Sequence, residues 1–127
     1  MNLAAAQAIV AGIGKWPPAV GRASALIDSL GGAVADVDPA GSAFPWRRQS
    51  AVVQWYANTP SSGQAATANK WLSDAHQAVQ HVSVGGYVNY LETDTAASRY
   101  FGANLSRLTT VRQRYDPDRI MYSGLNF

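Results

Sequence analysis

The chain of 127 residues contains no cysteine, which excludes disulfides, thiolate metal sites and a cysteine nucleophile. Charge is scarce as well: 14% of residues are charged, where about a quarter is usual. So little charge leaves apolar surface for something else to cover, and a packing partner is expected. Glu92 is the only glutamate, so paired-carboxylate chemistry would rest on aspartates, and Asp36 and Asp38 stand beside a turn, where aspartate serves local needs. His76 and His81 are the only histidines. Helical zinc pairs sit four apart; five apart is about 140° around a helix, which describes two surface histidines. No serine stands in a nucleophile elbow, and Gly31-Gly32 and Gly85-Gly86 are isolated pairs rather than a phosphate loop. No apolar run approaches the roughly 20 residues of a membrane span. The stretch from Met1 to Gly14 lacks the basic leading region of a signal peptide. The expectation is a cytoplasmic chain that binds no membrane, and its formal charge of +2 does not call for nucleic acid.

The hydrophobic fraction of 47% suits a packed globular fold. Ala4 to Ile13 reads as an apolar helix, ended by Gly14 and the stiff Trp16-Pro17-Pro18 connector. Ala23 to Leu30 is apolar, and Ala33 to Val37 alternates like a strand. Phe44 to Arg48 reads as an irregular loop. Ser50 to Ala57 reads as a strand, with Ala51, Val53, Trp55 and Ala57 on one face. Gln64 to His81 is helical, with Trp71, Ala75, Ala78 and Val82 on one stripe. Tyr87 to Leu91 reads as a short strand. Asp94 or Thr95 would cap a helix running through Phe101, which Gly102 stops. A last helix covers Asn104 to Arg114, with Leu105, Leu108, Val111 and Tyr115 on one side, and the tail from Ile120 to Phe127 is expected to pack. The late arginines Arg99, Arg107, Arg112, Arg114 and Arg119 read as a solvated face. The fold class is α+β, a small antiparallel sheet with flanking helices in an order of roughly α-β-β-α-β-α-α, forming a single partial domain over residues 1–127.

The most unusual local feature is Tyr87-Val88-Asn89-Tyr90, two phenols and an amide that donate and accept hydrogen bonds. A tyrosine can serve as a general base where its neighbours favour the phenolate. The competing reading is two half-buried strand tyrosines.

An ordered series weights the first reading. Tyr87-Val88-Asn89-Tyr90-Leu91, then Tyr100-Phe101-Gly102-Ala103-Asn104-Leu105-Ser106-Arg107-Leu108, then Val111 and Tyr115-Asp116-Pro117, resemble the C-terminal signature of flavin-dependent oxidoreductases of the berberine-bridge-enzyme type. Upstream, Gly31 to Val34, Ala43 to Pro45 and Val53 to Tyr56 resemble that family's substrate-lining strands more loosely. The resemblance implies oxidation of an alcohol, sugar or alkaloid-like small molecule at flavin adenine dinucleotide (FAD). It implies Tyr90 as the catalytic base, Gln54, Tyr56 and Tyr87 toward the substrate, and Asn89, Gly102 and Asn104 toward the cofactor. In the family the flavin domain lies upstream, so the expected partner is a flavin-binding domain or subunit, or a second copy in a homo-oligomer, and the chain is expected to be inactive alone. One departure is Arg112, where the family often has lysine. Two readings compete with this one. The first is a non-catalytic α+β binding or self-association module that kept the fold. The second is an unrelated enzyme using Tyr90 or the aspartates.

Overall fold

The structure, a computed structural model, describes residues 2–92, 95–121 and 123–127, and Asp94, expected as a helix cap, lies outside them. Helix α1 spans Leu3–Gly14, strand β1 Arg22–Ser29, helical turn α2 Ala33–Asp36 and strand β2 Ala51–Asn58. Helices α3 (Ala65–Val79), α4 (Ala97–Phe101) and α5 (Leu105–Tyr115) follow. The α+β class with a small antiparallel sheet and flanking helices is thus observed. By their contacts the residues form two compact units, Met1–Ser29 with Ala51–Ser83, and Leu30–Ser50 with Val84–Phe127.

In the first unit α1 and α3 cover one face of the β1–β2 ribbon. Asn2 caps α1, its Oδ1 accepting from the Ala5 N–H at 2.9 Å. Ala5, Ile9 and Gly12 form the buried stripe of α1. The strands pair antiparallel, with Ala25 opposite Trp55, Ile27 opposite Val53 and Leu26 opposite Gln54. Residues directly opposed share a face, so Ala23, Ala25, Val53, Trp55 and Ala57 lie on the Trp55 side, as the alternation of β2 predicts. Trp71 of α3 is the centre of the unit. Its ring lies edge-on to Trp16 (centroids 5.1 Å apart) and to Trp55 (5.7 Å), and its indole N–H donates to the Gly12 carbonyl at 2.8 Å. A side chain on Gly12 would sit 3.0 Å from the Trp55 ring, so α1 needs glycine to approach that closely. The buried stripe of α3 is Ala68, Trp71, Ala75 and Val79. Ala78 and Val82 do not belong to it: the buried stripe steps by four residues from Trp71 to Ala75 to Val79, Ala78 is exposed, and the chain tightens into a 3-10 turn at Gln80–Val82 that takes Val82 out of the α-helix.

The second unit is built around Tyr100, 1% exposed, with Ala97, Phe101 and Leu125 buried beside it and Val88, Leu105, Leu108 and Phe127 packed against them. Two strands expected here are not strands. Gly32, at φ 60°, turns the chain into α2, which the Ala35 N–H closes on the Gly32 carbonyl at 2.9 Å. Ala33, Ala35, Asp36 and Val37 are exposed, so their alternation reflects no buried face. Tyr87 to Leu91 forms a turn, the Tyr90 N–H donating to the Tyr87 carbonyl at 2.8 Å. A strand would put residues 87 and 90 on opposite faces, whereas the turn brings their rings together. Ala96 is the N-cap of α4 without a side-chain bond, and Gly102, at φ 48°, ends that helix as expected. On α5, Leu105 and Leu108 pack, but Val111 and Tyr115 (69% exposed) do not. The tail divides likewise. Leu125 is buried and Phe127 lies edge-on to Phe101 at 5.4 Å, whereas Ile120 is 84% exposed.

Glycine at position 85 follows from packing. A Cβ there would lie 2.2 Å from the Trp46 ring. Gly85→Ala is expected to lower stability by about 1–3 kcal/mol, because the indole must move out of a filled site. Urea denaturation followed by tryptophan fluorescence checks this; an unchanged midpoint would mean that the loop carrying Trp46 yields freely.

Candidate functional site

Within the second unit, one loop organises the signature residues. Phe44 lies edge-on to Tyr87 (centroids 5.8 Å), and Tyr87 edge-on to Tyr90 (5.2 Å), a run of three rings. The Asn89 amide donates to the Tyr87 hydroxyl oxygen at 2.7 Å. The Tyr90 hydroxyl has no hydrogen-bond partner among the described residues, so of the two phenols it is the uncommitted one. Trp46 fills the space beside Gly85 and Gly102. The Arg47 guanidinium lies 5.4 Å from the Phe44 ring centroid, and its Nη2 donates to Ser42 Oγ at 2.8 Å.

Gly102 and Asn104 meet the same loop. A Cβ on Gly102 would come within 3.0 Å of the Trp46 ring. The Asn104 amide nitrogen donates to the Pro39 carbonyl at 2.7 Å and the Ser42 carbonyl at 2.9 Å, and Arg107 donates to the Ala40 carbonyl at 3.1 Å. The side-chain oxygen of Asn104 remains an acceptor. The arginines are therefore not simply a solvated face. Arg99 pairs with Glu92 at 3.0 Å, Arg107 holds the loop, and Arg112 lies over the Phe127 ring at 5.1 Å. A planar guanidinium stacks there in a way that an ammonium does not, which accounts for arginine at position 112.

The Asp116 of the Tyr-Asp-Pro ending is structural. It is 5% exposed; its Oδ1 accepts from the Ile120 N–H at 2.6 Å and the Met121 N–H at 3.3 Å, while Oδ2 faces Arg112 Nε at 3.8 Å, an ion pair without a hydrogen bond. Asp116→Ala is expected to destabilise the chain by about 2–4 kcal/mol, since it leaves the Ile120 and Met121 N–H groups without their acceptor and the Arg112 guanidinium, which still reaches the Phe127 and Met121 carbonyls, without its counter-charge. Asp116→Asn, which keeps Oδ1, should lose less. Urea titration of both variants measures the difference, and equal losses would assign the effect to charge alone.

Gln54 and Tyr56 belong to the first unit. They share the face of the ribbon opposite Trp55, Gln54 across from Leu26 and Tyr56 across from Ser24, with Tyr56 49% exposed. Sequence reasoning missed Trp46 and Arg47. Their signal was an aromatic-proline-tryptophan-arginine run inside a loop, where large side chains need a packing reason.

Residues 86–124 match the family described as berberine and berberine like. The chain carries a berberine-like segment. That segment contains Tyr87, Asn89, Tyr90, Gly102, Asn104 and Asp116, and excludes Gln54 and Tyr56. Beyond the segment, the chain is similar to an uncharacterized FAD-linked oxidoreductase of Bacillus subtilis (strain 168), YgaK, at 29% identity over 101 residues, covering 78% of this chain and 22% of the relative. A second from the same strain, YvdP, is 28% identical over 92 residues, 71% of this chain and 21% of the relative. The FAD-linked oxidoreductase pynB of Aspergillus niger is 29% identical over 83 residues, 60% of this chain and 15% of its own length. The chain thus spans about a fifth of the length of the first two relatives. No solved structure gives a significant match. Among the described residues no helix is long and apolar enough to cross a membrane, and no group of three or more His, Asp or Glu side chains could hold a metal ion.

Proposed function

We propose that the chain is the substrate-side, C-terminal part of an FAD-dependent oxidoreductase, incomplete alone and working with a polypeptide that carries the flavin. The observation that supports this most is the berberine-like match over residues 86–124 coinciding with a phenol left without a partner beside a second phenol held by an amide. Tyr90 would take the proton of a substrate hydroxyl at its Oη. Tyr87, its oxygen held by Asn89, would keep the Tyr90 ring in place through their edge-on contact. On the resemblance alone, Gln54 and Tyr56 of the first unit would offer an amide and a phenol to the substrate. Of the residues proposed for the cofactor side, Asn89 and Asn104 fit the polar edge of a flavin in kind: they bring amides, with Asn104 limited to its acceptor oxygen, whereas the Trp46 ring stands where a Gly102 side chain would be and the Gly102 N–H is given to the Ser98 carbonyl. The chemistry that bound FAD supplies is acceptance of a hydride from the substrate carbon.

Flavin absorbance tests the reading. The purified chain is expected to be colourless, and to co-purify with bound flavin only when expressed with a flavin-bearing polypeptide encoded beside it. Tight flavin binding by the chain alone would overturn the incompleteness. A colourless, stable dimer with no such polypeptide would favour the self-association module, for which exposed Leu26 and Ile27 on β1 provide apolar surface.

A further inference from the structure

We propose that Arg47, with the Phe44 and Tyr87 rings beside it, binds the carboxylate of a flat, largely apolar substrate. The inference rests on the oxidoreductase reading only for calling that ligand a substrate; the binding itself follows from unmatched donors. Among the described residues the buried Nε of Arg47 has no acceptor, and the one hydrogen bond of the side chain goes from Nη2 to a serine hydroxyl. The other partly buried arginines of this unit do find oxygen: Arg99 meets Glu92, and Arg112 meets Asp116. No carboxylate among the described residues pairs with Arg47. Only the Nε is closed off; the residue as a whole is half-buried and its Nη2 bond is exposed, so the guanidinium keeps its charge with its outer nitrogens in reach of a ligand. The group that satisfies it is a carboxylate, whose two oxygens match the guanidinium fork.

A second observation points the same way. The indole N–H of Trp46, the preceding residue, is also buried without an acceptor. Two adjacent residues of one loop therefore carry unmatched donors, each of which disfavours the fold unless an acceptor arrives. The rings decide the shape of what carries that acceptor. Phe44 has the guanidinium 5.4 Å from its ring centroid and Tyr87 edge-on to it, and Tyr90 follows Tyr87. This is a surface for a flat apolar body with one fixed polar end. The ring contacts run from the cation to the free phenol, so a ligand anchored by its acid group at Arg47 would lie along the run that ends at Tyr90.

Isothermal titration of the full chain with benzoate, and with benzamide as its uncharged isostere, tests the proposal. Benzoate is expected to bind saturably and benzamide about tenfold more weakly or worse, the difference of a charge-assisted pair. Arg47→Gln should weaken benzoate by about tenfold or more, Arg47→Lys by less, and Arg48→Gln, the same loss of charge at the exposed neighbour, by under about twofold. Melting curves establish that each variant is folded, and the lysine variant carries the test if glutamine does not fold. Equal binding of benzoate and benzamide, no saturable binding, or equal losses for Arg47→Gln and Arg48→Gln would each overturn it. So would displacement of benzoate by a flavin-bearing polypeptide, which would assign the guanidinium to a protein carboxylate. The titrations of the chain and its variants alone involve no flavin, so failure of the oxidoreductase reading would show in the absorbance experiment and not in them.

Discussion

In the complex with a flavin-bearing polypeptide, Tyr90→Phe is expected to lower the rate of flavin reduction by about 10²–10⁴-fold, the usual contribution of a positioned general base. The same change should leave stability within about 0.5 kcal/mol, because it removes a hydroxyl that bonds nothing among the described residues and keeps the ring that packs on Tyr87. That combination is what distinguishes a proton-handling phenol from a packing tyrosine. Tyr87→Phe should behave the other way, costing Asn89 its acceptor and lowering stability with a smaller effect on rate. Anaerobic stopped-flow measurement of flavin bleaching, beside thermal melts of the chain, reads both. A Tyr90→Phe complex that reduces flavin at the parent rate removes Tyr90 as the base, and transfer of the large rate loss to Tyr87→Phe would assign the role to Tyr87.

Trp71→Ala is expected to lower stability by about 3–5 kcal/mol, the range for deleting a buried aromatic ring. The ring is 5% exposed, lies against Trp16 and Trp55, and holds the Gly12 carbonyl with its N–H. Its loss opens a cavity among α1, β2 and α3 and removes one of two donors to that carbonyl, the other being the Lys15 N–H at 3.3 Å. Against a typical total of about 5–15 kcal/mol, this is enough to unfold much of the population at physiological temperature. Trp71→Phe separates the two contributions: it refills most of the cavity and still lacks the indole donor, a loss of about 1–3 kcal/mol. Urea denaturation followed by far-ultraviolet circular dichroism measures both. A loss under about 1 kcal/mol for alanine would mean that the unit repacks around the vacancy.

The strongly periodic elements were legible, and the reason is visible in the contacts. The alternation Val53, Trp55, Ala57 marks a packed, half-buried face because Trp71 of α3 lies against Trp55 there. The spacing of Trp71 and Ala75 is a real stripe because α1 and β2 receive it. Asp38 was legible as a local turn residue, and its carboxylate accepts from the Ala40 N–H at 2.8 Å. Short apolar alternations were not legible. Ala33 to Val37 and Tyr87 to Leu91 carry a strand pattern over five residues each, too few to outweigh a positive-φ glycine at position 32 or the ring contact of residues 87 and 90. Of the candidate site, the Tyr-x-Asn-Tyr group was legible as chemistry. Its geometry was not, since a strand reading separates the two phenols that the turn joins.

By itself the sequence determined the α+β class, the helix stops at Gly14 and Gly102, and the identity of the phenol-amide-phenol group, because these depend on local dihedral preferences and on residue types in a fixed order. Only the tertiary structure decided that Asn104 and Arg107 hold the loop at residues 39–42, that Gly85 and Gly102 make room for Trp46, that Asp116 ties down the backbone at Ile120 and Met121, and that Arg47 is left with a buried donor and no acceptor. Each of these joins groups through packing or through a backbone carbonyl or N–H, and every residue has those backbone groups. No residue letter marks which of them a folded chain will bring within hydrogen-bond reach.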